Sequence, residues 1–382
     1  GNEEWSWTMT QFYYNETYYD IFDAKIYCIQ QLNDGGYIVS LIWDFMLNSE
    51  QLEFGGLLKL TAGGAEEWVQ IYADEFVWSI STINVLVEDD GYLLVGFSGI
   101  PQFSGTDFKA AMLKTDTNGI EQWRKEYQYG PGFDYAYASC HTTDNGYLIT
   151  GYVQITSTNY DYWMIKTDAN GNEQWNKTFG GPYGDYANVG DCYQTPDGGY
   201  IMGGYTYING SGNSAVWMVK TDSSGTMEWN KTYDENIRRD TMWSFEQTPD
   251  AGYVLCDTIN FTASAGDKED IILKKIDGNG NIKWVQKFGG LDQQIGIYVN
   301  NTNEGGFIVA GRTGPYQVAT TDALLVKFAP IDIEVDIKGG LGIQATIKNN
   351  GIANLTNVSY EVQVKGGILG LINKTMSGWI NV

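Results

Sequence analysis

Six tryptophans, Trp5, Trp68, Trp123, Trp175, Trp229 and Trp284, recur about 54 residues apart. Their surroundings recur with them, since Gly1-Asn2-Glu3-Glu4-Trp5 is nearly restated by Gly171-Asn172-Glu173-Gln174-Trp175. Self-similarity at a fixed period of this length marks an array of supersecondary modules, none of which buries its apolar face alone. Two further markers also occur six times. A turn followed by an aromatic residue gives Gly36-Tyr37, Gly91-Tyr92, Gly146-Tyr147, Gly199-Tyr200, Gly252-Tyr253 and Gly306-Phe307. A lysine ends an apolar run at Lys59, Lys114, Lys166, Lys220, Lys275 and Lys327. Trp5 alone is out of phase, because it precedes every other marker instead of closing a repeat.

Residues 135–178 show what one module builds. The spacing predicts strands over 135–143, 147–153, 162–167 and 172–178, with a tight turn at Asp144-Asn145-Gly146 and a hairpin turn at 168–171. The second strand is rich in aromatic and β-branched residues, and Asn-Gly suits the positive φ of a hairpin turn. Four antiparallel strands per repeat, without helical periodicity, describe a propeller blade. The expected fold is therefore all-β, a six-bladed β-propeller over residues 1–329. Blade six holds only three strands of its own, about 294–302, 307–312 and 323–328. The segment 3–12, carrying Trp5, is expected to supply the fourth and so close the ring, removing exposed edges. Long polar connections between second and third strands, around 46–54, 99–107, 154–161, 206–214, 258–269 and 313–322, are expected on one face. That face is the expected recognition surface.

Charge narrows the choice of partner. Against 47 Asp and Glu stand 23 Lys and Arg, for a net charge of -24. Such a balance argues against nucleic acid and anionic membranes. No run of 18 apolar residues is present, so no transmembrane segment is expected. The chain starts at Gly1, consistent with a mature, secreted form whose leader has been removed. Nine sequons, at Asn15, Asn176, Asn209, Asn230, Asn260, Asn300, Asn354, Asn357 and Asn373, fit an extracellular glycoprotein. Asn176 and Asn230 each follow an outer-strand tryptophan, and alternation turns them to the opposite face. Cys28, Cys140, Cys192 and Cys256 permit disulfides by number, but their spacing specifies none and lacks the close pairs of zinc sites.

Chemistry is less marked. His141, the sole histidine, neighbours Cys140 on a strand, where adjacent side chains face apart and no Cys-His dyad follows. The four arginines, Arg124, Arg238, Arg239 and Arg312, occupy non-equivalent places and form no carboxylate-binding cluster. The turn acids Asp34, Asp90, Asp144, Asp197, Asp250 and Glu304 suit tight turns. The Asp-x-Asn-Gly loops at Asp116, Asp168 and Asp277 lack the downstream Glu of a calcium loop. One constellation stands out: Asp23, Asp134, Asp185, Asp240 and Asp292 lie 13 to 15 residues before the repeated Tyr or Phe. They fall where one blade crosses to the next, around the channel mouth, as a candidate ligand ring for Ca²⁺. Capping of the connecting loops is the competing explanation. No other cofactor is indicated.

Beyond Pro330 the pattern changes, with strand-like runs at 331–337, 342–347 and up to 362. This tail, 330–382, resembles the start of an immunoglobulin-like module of secreted prokaryotic surface proteins, short by two or three strands. Such an incomplete sandwich implies self-association through strand addition. The blade pattern Asp-Gly-Gly-Tyr-Ile … Lys-Thr-Asp-x-Asn-Gly-Asn-x-x-Trp-x-Lys-Thr-Phe-Gly-Gly is best seen in residues 166–180 and 191–201. It resembles secreted propeller-repeat proteins of archaea and some bacteria over residues 1–329. Blade one departs from it at Leu60-Thr61-Ala62-Gly63-Gly64. The resemblance implies an exported cell-surface protein without assigned catalysis. The leading expectation is thus a non-enzymatic structural or adhesive surface protein, a filament or surface-layer subunit. The alternatives are a carbohydrate-binding propeller using Tyr160, Tyr183 and Tyr205, and, behind it, a glycan-active hydrolase or lyase with a close carboxylate pair.

Overall fold

The computed structural model describes residues 11–380 except 15–16, 48–49, 75–77, 100–107, 131, 188–190, 209–212, 234–238, 261–268, 290–292, 315–321, 329–332, 339–343, 350–357 and 367–371. Every regular element among the described residues is a strand. No described helix is long and apolar enough to cross a membrane. Six antiparallel meanders follow one another as the blades of a propeller. Blade three shows the pattern in full: Asp134–His141, Tyr147–Thr156, Asn159–Thr167 and Glu173–Phe179 pair in sequence order.

Burial explains the composition of each strand. In blades one to five the second and third strands are covered on both faces, so their side chains need not alternate between apolar and polar. Ser214–Thr221 is accordingly buried at every position, whereas the outer strand Met227–Tyr233 is exposed or half-buried everywhere except Tyr233. The core is divided into slabs between adjacent blades. Leu93 and Met112 of blade two pack with Ile149 and Trp163 of blade three. Ala138 and Met164 of blade three pack with Met202 and Val219 of blade four.

The repeated markers meet at these junctions. Trp175 ends blade three and sets its ring 5.7 Å from Tyr200, the post-turn aromatic of blade four. Trp68 and Tyr92 repeat the contact at 5.9 Å, and Trp284 and Phe307 at 5.8 Å. Trp175 also covers Gly225 in the next blade's hairpin turn, where φ is +78° and an added Cβ would lie 2.8 Å from the ring. Beside the tryptophans, tyrosine hydroxyls donate to the same turns: Tyr72 to Gly119 O at 2.9 Å, Tyr127 to Gly171 O at 2.6 Å and Tyr233 to Gly280 O at 2.8 Å. An aromatic ring buries on the order of 150–250 Å², so each junction contributes several kcal/mol. The tryptophan repeat is architecture.

Three expectations are adjusted. Blade six shows the three strands expected of it, Gln293–Asn301, Phe307–Gly314 and Asp322–Phe328. Most of the closing segment 3–12, including Trp5, lies outside the described residues; Gln11 and Phe12 pair with Asp20 and Tyr19 in a hairpin leading into blade one. The stretch 154–161 is not a long loop. Ile155 and Thr156 continue the second strand, which turns at once into Asn159–Thr167 and sets Tyr160 opposite Gln154. Blade one behaves alike, with strands Tyr37–Leu47 and Glu50–Leu60 filling the expected loop. The tail forms two hairpins, Ile333–Lys338 with Gln344–Asn349 and Val358–Gly366 with Ile372–Ile380.

Candidate functional site

Blades three and four bring a run of tyrosines to the end of the propeller where first strands begin and second strands finish. The register does this directly: Tyr135 lies opposite Tyr152, and Tyr186 opposite Tyr205. Tyr137 is turned by a bulge between Ala136 and Ala138 and stacks on Tyr152 at 5.5 Å, their hydroxyls 3.4 Å apart. Tyr152 meets Tyr160 at 5.6 Å and, across the blade junction, Tyr186 at 5.2 Å. Tyr186 then stacks on Tyr205 at 5.3 Å and touches Tyr207 at 5.8 Å. The result is a continuous aromatic strip, each member half-buried. Beyond Tyr207 the strip opens into a cleft of about 460 Å³, lined by Tyr183, Asp185, Trp217, Asn230 and Thr232 among others.

The strip is electrically neutral. Burial raises the hydroxyl pKa of Tyr135, Tyr137, Tyr152, Tyr186 and Tyr205, with neighbouring phenols adding to the rise in most of them. Each therefore offers an uncharged ring face with a hydroxyl at its edge. Asp185 lines the cleft, and Asp161 lies behind its wall at Gly180. Burial raises Asp185 to about 6, against hydrogen bonds from the Thr206 hydroxyl and the Gly181 amide, and the nearby Asp161 charge raises it further. The Gly181 amide donates to Asp185 Oδ2 at 2.8 Å. Asp161, itself raised by burial, lies against Gly180 so closely that a Cβ there would sit 2.2 Å from Oδ1.

Of the candidate cation ring, Asp134, Asp185 and Asp240 are buried at the starts of their blades. Asp134 accepts from the Tyr129 amide at 2.8 Å, as Asp185 does from Gly181, so both bind their own crossing loops. Asp23 lies within the strand Thr17–Gln31, and Asp292 lies outside the described residues. Among the described residues no three His, Cys, Asp or Glu side chains are grouped to hold a metal. The Asp-x-Asn-Gly carboxylates are likewise engaged locally: Asp168 Oδ1 accepts from the amides of Asn170 and Asn172 at 2.9 and 2.8 Å.

The sequons differ in setting. Asn176 and Asn230 accept from the indole N–H of Trp163 and Trp217 at 3.4 and 3.3 Å. Their Nδ2 groups donate to Glu173 Oε1 and to Met227 Sδ. Asn300 is exposed on the first strand of blade six. Asn260 and Asn373 lie on strands, Tyr253–Asn260 and Ile372–Ile380; Asn15, Asn209, Asn354 and Asn357 lie outside the described residues.

A repeated bulge was not legible in the sequence. Equivalent bulges in the first strands turn Tyr27, Ile83, Tyr137, Trp243 and Ile297 out of register, ten or nine residues before each post-turn aromatic. A bulge of this kind re-aims a side chain. The spacing was in the sequence, but no residue type repeats to signal it. His141 ends its strand exposed, with Nδ1 3.8 Å from Glu88 Oε1.

No family model matches the chain, and no curated protein matches it. Solved structures do. A duf4221 family member from Bacteroides vulgatus is alike over 87% of this chain and 98% of its own, at 9% identity and a TM-score of 0.43. A β-1,2-mannobiose phosphorylase from Listeria innocua is alike over 81% of this chain and 90% of its own, at 10% identity and a TM-score of 0.38. An endo-arabinase from Bacteroides thetaiotaomicron is alike over 65% and 93%, at 10% identity and a TM-score of 0.34. Likeness at this level speaks to the propeller alone. It nevertheless corrects the expectation of a non-enzymatic chain: propeller enzymes are among the structures alike in fold, so the architecture gives no ground for excluding catalysis.

Proposed function

We propose that the chain binds a glycan along the tyrosine strip and in the cleft at its end. The supporting observation is the unbroken contact from Tyr137 through Tyr152, Tyr186 and Tyr205 to Tyr207, beside a cleft of about 460 Å³. Stacked, uncharged rings match the apolar faces of pyranose rings, while their hydroxyls, Asp185 and Asn230 match the sugar hydroxyls. An apolar cleft with a few convergent polar groups is the general form of a small-ligand site. Export and attachment or assembly at the cell surface through the tail belong to this reading. The test is a glycan array followed by calorimetry on the hits. Retention of a glycan, with binding lost in Tyr205→Ala/Tyr207→Ala, supports the reading; no glycan bound at millimolar concentration overturns it.

One observation favours a second reading, cleavage of the bound glycan. The Asp161 charge lies near enough to Asp185 to raise its pKa, and a protonated carboxyl beside an ionised one is the general acid and base of glycoside chemistry. Asp185→Asn would then keep binding and abolish release of reducing ends. Absence of any new reducing ends in the wild-type chain with a bound glycan would end this reading and leave the first intact.

A further inference from the structure

The four cysteines are not equivalent. Cys140 lies one residue before the end of the first strand of blade three, and Cys192 opens the strand Cys192–Gln194 on the first-strand side of blade four. The two strands face each other across the blade junction. Both side chains belong to one apolar cluster, with Cys192 inside it and Cys140 packed against it. The Cys140 side chain lies near enough to the Cys192 thiol to raise its pKa. Its Sγ also lies 4.0 Å from Leu148 O, and Leu148 is the cross-strand partner of Cys140. Cys256 instead faces blade six, against Gly296, and Cys28 faces Val85 of blade two. The structure thus selects one pairing from a set that spacing left open.

We propose that Cys140 and Cys192 form a reversible disulfide across the junction of blades three and four, made by exchange with a low-molecular-weight disulfide. Cys140 is half-buried beside the exposed His141, whereas Cys192 is 3% exposed. Access therefore assigns the first attack to Cys140. Its thiolate attacks one sulfur of the reagent, forming a mixed disulfide and expelling one thiolate. Cys192 then loses its proton to solvent and attacks the Cys140 sulfur, forming the protein disulfide and expelling the second thiolate. Two protein thiols are oxidised and one reagent disulfide is reduced to two thiols. Burial and the neighbouring Cys140 hold the Cys192 thiol well above its ordinary range, so the second step is the slow one and quickens as pH rises. The bond would tie together the two blades that carry the tyrosine strip. The proposal is independent of what that strip binds.

The experiment incubates the purified full chain with glutathione disulfide, then blocks remaining thiols and maps peptides by mass spectrometry. The expected result is the loss of two hydrogens and one crosslinked peptide pair containing Cys140 and Cys192. Cys28 and Cys256 should be recovered blocked, and dithiothreitol should reverse the change. The oxidised chain should also melt at a higher temperature than the reduced chain, a difference absent in Cys140→Ser/Cys192→Ser. A glutathione adduct that persists on Cys140, a crosslink to Cys28 or Cys256, or four unmodified thiols would each overturn the proposal. The wild-type map decides the matter even where a serine variant folds poorly.

Discussion

Lys166 Nζ lies 2.9 Å from both carboxylate oxygens of Asp144, joining the end of a blade's third strand to the turn between its first two. The same nitrogen donates to Thr167 O at 2.8 Å and Gln174 Oε1 at 3.1 Å. All six blades repeat the pair: Lys59 with Asp34, Lys114 with Asp90, Lys220 with Asp197, Lys275 with Asp250 and Lys327 with Glu304. The lysine stem lies along the blade while its charged end emerges at the turn.

Burial of the lysine sets what each clamp contributes. The Lys166 side chain is 2% exposed and that of Lys327 52% exposed. Lys166→Met should cost about 1–3 kcal/mol, because the Thr167 carbonyl and the Asp144 carboxylate lose a shared charged donor. Lys327→Met should cost no more than about 0.5 kcal/mol, as for an exposed ion pair. Urea unfolding of the two variants measures the difference, and equal losses would show that burial does not set the contribution.

Both members of these clamps were visible as separate repeats, yet 22 to 25 residues separate Lys from acid and neither type announces the other. Blade number was legible because Trp, Gly-Tyr and Lys each recur once per blade and mark fixed positions in it. The site was only half legible. Tyr160 and Tyr205 stand out as aromatics in polar surroundings, but Tyr137, Tyr152 and Tyr186 join them only through cross-strand register and the blade junction. The polar run 154–161 suggested a loop because Gln, Ser, Thr and Asn favour turns; the β-branched Ile155 and Thr156 instead extend the hairpin.

Glycine at the hairpin turns is required by conformation and by contact together. Gly225→Ala meets a φ of +78° and sets a Cβ 2.8 Å from the Trp175 ring, so roughly 2–3 kcal/mol of stability should be lost. Gly130→Ala has nothing within 4 Å and should change stability by less than about 1 kcal/mol in either direction. Thermal melts of the two variants check the contrast.

Stability should peak in mild acid. Burial raises Asp185 to about 6 and Asp191 to about 7, in the latter case against hydrogen bonds from Ser244 and the Phe245 amide. Their unfolded values lie near ~3.9, so between about 4 and 7 the folded chain holds more protons than the unfolded one. Stability then falls as pH rises through that window. In Asp144 and Asp197 burial is outweighed by the clamp lysine, a Thr hydroxyl and a Gly amide, which hold both at about 2. Their contribution is complete above the unfolded value and is lost as pH drops toward 2. Asp185→Asn/Asp191→Asn should flatten the decline from about pH 4.5 to 7.5, as urea midpoints across that range would show. An unchanged slope would contradict the assignment.

Asp257 and Lys274 form an ion pair with both side chains fully buried in blade five. Four residues after the post-turn aromatic, the position of Asp257, blades two, three, four and six carry Gly96, Gly151, Gly204 and Gly311. One residue before the clamp lysine, the position of Lys274, blades two, three and four carry Leu113, Ile165 and Val219. Blade five thus exchanges a glycine and an aliphatic residue for a charge pair in the same space. Removing one partner strands the other in a dry interior, so Lys274→Val alone should cost about 3–5 kcal/mol. Restoring the pattern of the other blades with Asp257→Gly/Lys274→Val should recover most of that loss, because a fitted apolar replacement of a buried pair is commonly neutral or better. A double-mutant cycle by urea unfolding gives the coupling directly. A double variant as unstable as the single one would show that the pair does more in blade five than fill the place of glycine and valine.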